Sequence, residues 1–98
     1  MKTKLLEIIN FYGIDNQQRK LEEEVFELQQ AIIKFDTEEK QKELKENIVE
    51  EMADVCVLLM QITDFYKLDV VKMRHIMEEK IDRQLERIKS ERSDRVVK

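Results

Sequence analysis

Proline is absent from the 98 residues, and glycine occurs once, as Gly13. Two-residue β-hairpins depend on residues that accept positive φ, so the chain has little means of turning tightly between strands. The single cysteine, Cys56, excludes an internal disulfide and fits a reducing compartment. The single histidine, His75, cannot supply the Glu-x-x-His of two helices that a carboxylate di-iron bundle uses, and zinc sites also want more nitrogen or sulfur ligands. His75 therefore reads as a boundary or surface residue. The longest apolar run, VCVLLM at 55–60, falls far short of the ~20 residues that span a bilayer. The opening MKTKLLEIINF carries Glu7 within its apolar part and lacks a small-residue cleavage site, so no secretory leader is expected. These absences predict a soluble, cytoplasmic protein without a membrane partner.

What the chain does hold is charge and apolar surface in near balance, 41% and 42%. That is the composition of amphipathic helices, and the length suits one domain spanning 1–98. The net charge of −4 hides an asymmetry. Residues 22–54 hold twelve acids against four bases, while 80–98 hold seven bases against four acids. An acidic centre argues against binding a nucleic-acid polymer, because phosphate contacts need a basic face.

Four helices follow from the periodicity. The first runs from about Thr3 to Tyr12 and stops at Gly13, suited to a left-handed cap. Asp15 or Asn16 can cap a second that reaches about Phe35, with Leu21, Val25, Leu28 and Ile32 as its stripe. Asp36 with Glu39 forms a capping-box pattern for a third helix, either continuous to Tyr66 or broken near Lys45. Asp69 can cap the last, whose stripe is Val70, Met73, Ile76, Met77, Ile81, Leu85 and Ile88, with fraying beyond Ser90. From Val55 to Ile62 the third helix is apolar almost all round, and such a helix must be covered all round. A second copy of the chain is the expected cover. Met52, Met60, Met73 and Met77 then fill core gaps, and Cys56 reads as a small buried hydrophobe.

The acids are the chemical feature. Glu24 and Glu27 lie about 60° apart on the second helix and flank its stripe, with Glu23 one turn before Glu27. Glu51 and Asp54 repeat the i, i+3 relation on the third helix, with Asn47 one turn before Glu51. If the two helices pack antiparallel, the pairs face each other. Four carboxylates meeting at a partly buried spot cannot all stay ionised without a counter-charge. A hard divalent cation answers this, and Mg²⁺ is usual where a substrate phosphate completes the shell. The plain alternative is a solvated acidic face, since runs of glutamate are common on exposed helices.

EEVFEL, followed about two dozen residues later by EEMADV, resembles the paired ExxE and ExxD signature of the MazG-like all-α nucleoside triphosphate pyrophosphohydrolases. KLEEE before the first pair, the apolar helix after the second and EEKIDRQLERI near the end match as well, so the resemblance covers about Gln17 to Ile88. It implies a four-helix-bundle-like domain assembled as a homodimer or homotetramer (a dimer of dimers). It implies Mg²⁺, or Mn²⁺ in its place, held by Glu24, Glu27, Glu51 and Asp54, with one of the glutamates, or Glu23 beside them, activating water. Lys20, Lys80, Arg83 and Arg87 would contact phosphates, and Phe11 and Tyr12 are the aromatic candidates for a base. Many relatives carry an asparagine near the last-helix lysine, where this chain has Asp82, Arg83 and Gln84. The implied reaction cuts an NTP or dNTP between its α- and β-phosphates to give a monophosphate and pyrophosphate. Two rivals stand beside it: a non-catalytic oligomerisation or adaptor module, and a pyrophosphohydrolase acting on a phosphoribosyl-nucleotide.

Overall fold

The computed structural model describes residues 2–97, with side chains described as far as Asp94. Its four helices are α1 (Lys2–Tyr12), α2 (Ile14–Thr37), α3 (Gln41–Tyr66) and α4 (Val70–Val97), and no strand occurs among the described residues. The all-α expectation holds. The chain divides into two compact units, the first ending at Leu68 and the second beginning at Asp69.

In the first unit α2 and α3 form the main interface, and α1 packs on both. The connection 38–40 is too short for anything but an antiparallel turn back. Side-chain interactions at the two ends agree with that. Near the turn, Gln41 Nε2 donates to the Phe35 carbonyl at 2.9 Å, and Lys45 Nζ lies 5.9 Å from the centre of the Phe35 ring. At the far end Gln17 Nε2 donates to Gln61 Oε1 at 2.7 Å, and Gln18 Nε2 to the Tyr66 hydroxyl at 3.0 Å.

The covered line of α2 is Gln17, Leu21, Glu24, Leu28, Ala31 and Phe35. Steps of four and three alternate along it, the 3.5-residue seam of two helices packed side by side. On α3 the matching line is Leu44, Ile48, Glu51, Val55, Leu58 and Ile62. This corrects the stripe read from the sequence. Leu21 and Leu28 belong to it, but Val25 and Ile32 are exposed, and Glu24 lies in the seam rather than beside it.

The helix ends depart from expectation in several places. Gly13 has φ 87 and ψ 147, a positive φ outside the left-handed helical region, and it serves as N-cap of α2. Asp15 and Asn16 therefore lie inside the first turn, and Asn16 Nδ2 donates back to the Tyr12 carbonyl at 2.7 Å. Asp36 is helical within α2, and α3 opens at Lys40 without a side-chain cap, so the capping box does not form. The third helix is continuous to Tyr66. It ends on Lys67 in the left-handed conformation, φ 53 and ψ 47, with Leu68 N–H donating to Thr63 O.

In the second unit Asp69 Oδ1 accepts from the Lys72 N–H at 3.0 Å, the N-cap read from the sequence. The helix is described as far as Val97, with Lys98 outside the described residues. The apolar side chains of the α4 stripe are exposed, as are Met52, Met60 and Cys56, so the expected burial of these sulfur-bearing residues is not met within the chain. No described helix is long and apolar enough to cross a membrane.

Candidate metal centre

Antiparallel packing through the Gln17–Gln61 bond fixes the register between α2 and α3. Moving inward from that bond by equal steps brings Glu24 level with Asp54, and Glu27 level with Glu51. One carboxylate oxygen each from Glu24, Glu51 and Asp54 then lies within 4.8 Å of the others. Glu24 and Glu51 are half-buried by the seam, and Asp54 is exposed at its edge.

Two of these acids carry an unanswered polar atom. Glu24 Oε2 and Glu51 Oε2 are sealed from solvent and accept no hydrogen bond from any described residue. The carboxyl of Glu24 is raised above its ordinary range, first by burial and then by the charges of Glu27, Asp54 and Glu51. That of Glu51 is raised first by burial and then by Glu27, Asp54 and Glu50. Glu27 is near enough to accept a hydrogen bond from either group when that group is protonated. Ordinarily a partly buried carboxylate is answered by a cation or by N–H donors. No ion pair reaches this cluster among the described residues, where the salt bridges are Arg74–Glu78 and Glu86–Lys89, both on α4. Oxygen-only donors clustered without an ion pair are chemically compatible with a hard divalent cation.

Of the sequence-derived ligand set, Glu24, Glu51 and Asp54 are brought together, while Glu27 stands exposed beside them. Glu23 and Glu27 lie on a broad groove of about 850 Å³ whose lining comes from α2 alone, which makes it an open helix face. Lys20 lines a smaller cavity of about 230 Å³ together with Glu24 and Asp54. Lys80, Arg83 and Arg87 lie on α4, each exposed, in the second unit.

Sequence reasoning missed Gln17 and Gln61, the two buried polar side chains of the first unit, which line that smaller cavity. A signal existed. Each lies seven residues from an acid of the cluster, Gln17 from Glu24 and Gln61 from Asp54, and seven residues return a helix to nearly the same face. No family model matches the chain, nor does any curated protein or solved structure.

Proposed function

We propose that the chain is a Mg²⁺-dependent nucleotide pyrophosphohydrolase that works as a homo-oligomer. The observation that carries this reading is the meeting of Glu24, Glu51 and Asp54 across the α2–α3 seam, with two sealed carboxylate oxygens that lack a partner. The resemblance of EEVFEL and EEMADV to the paired signature of MazG-like enzymes supplies the reaction class.

In this reading Glu24, Glu51 and Asp54 hold the ion, and Glu27 can join them from the edge of the seam. Bound there, Mg²⁺ supplies charge neutralisation for the phosphates and a water of lowered pKa. One of the glutamates, or Glu23 beside them, is assigned through the resemblance to take the proton from the attacking water, since a carboxylate is acceptor-only when ionised. The water oxygen joins phosphorus, the α–β anhydride bond breaks, and pyrophosphate leaves beside a nucleoside monophosphate. Lys20 is the cation in the cavity beside the acids and is assigned to the phosphates. Lys80, Arg83 and Arg87 are assigned there through the resemblance.

A solvated acidic face, the adaptor reading, calls for acids open to water, whereas one oxygen each of Glu24 and Glu51 is sealed from it. The test is a panel of nucleoside triphosphates and one phosphoribosyl-nucleotide with MgCl₂, scored separately for pyrophosphate and orthophosphate. The expected result is pyrophosphate from at least one triphosphate, stopped by chelation. Asp54→Asn should lose more than the roughly 10–100-fold that removal of an outer-shell partner costs a metal site, with the helical circular dichroism unchanged. Pyrophosphate release at the wild-type rate from that variant would remove the metal assignment.

A further inference from the structure

The cavity that Lys20, Glu24 and Asp54 share has a second end, and its chemistry differs from that of the acids. Gln17 and Gln61 line it and are 4% and 2% exposed. Their mutual bond uses one N–H of Gln17 and the oxygen of Gln61. Gln17 Oε1, the other N–H of Gln17 and the NH₂ of Gln61 have no hydrogen-bond partner among the described residues. The pair therefore offers an acceptor beside donors on the cavity wall, where its free amide atoms remain within reach of solvent or a ligand. Turning both amides over together preserves their bond and reverses that order.

Apolar surface surrounds the amides. Ile8 and Tyr12 come from α1, and Val57 and Leu58 from α3. A phosphate has no apolar face, and a ribose has no planar π face. A nucleobase has both features the site would use: faces that stack on an aromatic ring and an edge carrying donors and acceptors. Size agrees. At about 230 Å³ the cavity is below the usual range for a drug-sized ligand, and its amide end suits one ring system. Seven residues along each helix, roughly 10 Å, separate the amides from Glu24 and Asp54, a gap that a sugar with its first phosphate groups bridges.

We infer that Gln17 and Gln61 read the edge of the substrate's nucleobase in this cavity, with Tyr12 against its face, while the phosphates extend toward Lys20 and the acids. The inference rests on the nucleotide reading above but is tested apart from it. The first probe is NMR of ¹⁵N-labelled protein titrated with AMP, GMP, CMP, UMP and, as the base-free control, ribose 5-phosphate. The side-chain amide signals of Gln17 and Gln61 should shift with at least one nucleoside monophosphate and stay in place with ribose 5-phosphate. Equal shifts from both kinds of probe, or no shift at these amides from any of them, would overturn the inference. If triphosphates are hydrolysed while these amides stay silent, the base contact fails and the reaction stands. If the amides respond but no triphosphate is cut, the reaction fails and the base contact stands.

The second probe is the double variant Gln17→Met, Gln61→Met, which removes both partners of the buried bond rather than leaving one unpaired. It should stay folded, with KM for the preferred nucleotide raised about tenfold and the preference among bases flattened. A pair that only bridges two helices predicts a changed melting temperature and an unchanged base preference, which would also overturn the inference.

Discussion

Glu24 and Glu51 each hold a carboxylate oxygen that the α2–α3 seam has shut away from water without giving it a donor. Their raised pKa values mean that the folded state binds these protons more tightly than the unfolded chain does. For the metal-free protein, this contribution to stability is fully present below the ordinary carboxylate range. It is lost as pH rises through the raised values. Glu24→Gln should therefore raise the metal-free melting temperature at pH 7.5, and its advantage over the wild type should shrink as pH falls toward 5. An advantage of equal size at both pH values would show that ionisation of a buried, crowded carboxyl is not the cause. In the wild type, millimolar MgCl₂ should raise the melting temperature above that in NaCl of equal ionic strength, because an ion bound only by the folded state stabilises by mass action. In Glu24→Gln the two salts should give the same curve.

At the scale of elements, the acids and the cap of α4 were legible in the sequence because each rests on local spacing. Asp69 lies three residues before the N–H it accepts from, and Glu51 and Asp54 lie one turn apart. The α2 stripe was only half legible. Leu21, Val25, Leu28 and Ile32 are apolar at helical spacing, and nothing in their hydrophobicity distinguishes the line that meets α3 from the line that does not. The decision came from packing. The 3.5-residue seam places Glu24 and Gln17 inside and leaves Val25 and Ile32 outside. The end of α3 at Tyr66 agrees with the sequence reading, but the left-handed cap that closes it was hidden for another reason. The one glycine is spent at Gly13, so the left-handed position after Tyr66 falls to a lysine, which carries no sequence signal for it. A β-carbon in the left-handed region costs roughly 1–2 kcal/mol, partly offset by the greater unfolded-state freedom of glycine. Lys67→Gly should accordingly stabilise the protein by about 0.5–1 kcal/mol in urea titration. A loss of stability there would mean that the lysine stem makes contacts outweighing its backbone strain.

For the whole molecule, the reason to expect a second copy is the apolar surface that the first unit leaves open. Among the described residues the buried apolar side chains are Leu5, Ile9, Ala31 and Leu58. On α3 the flanks of Leu58 remain open, with Val57, Leu59 and Met60 all exposed, although this stretch is apolar almost all round. In the proposed oligomer a second copy covers that face, and Leu59 is the residue that discriminates. On a solvated surface Leu59→Asp would change stability by about 0.5 kcal/mol or less. Against a partner copy the same carboxylate would be buried unpaired, which costs several kcal/mol and separates or unfolds the chains. Light scattering should find the wild type as a dimer or tetramer at micromolar concentration and Leu59→Asp as a monomer or an unfolded chain. Because folding and association are then linked, the wild-type melting temperature should rise with protein concentration. A folded wild-type monomer whose melting temperature ignores dilution would mean that α3 keeps its apolar flanks in water, and the reason for invoking a second copy would be gone.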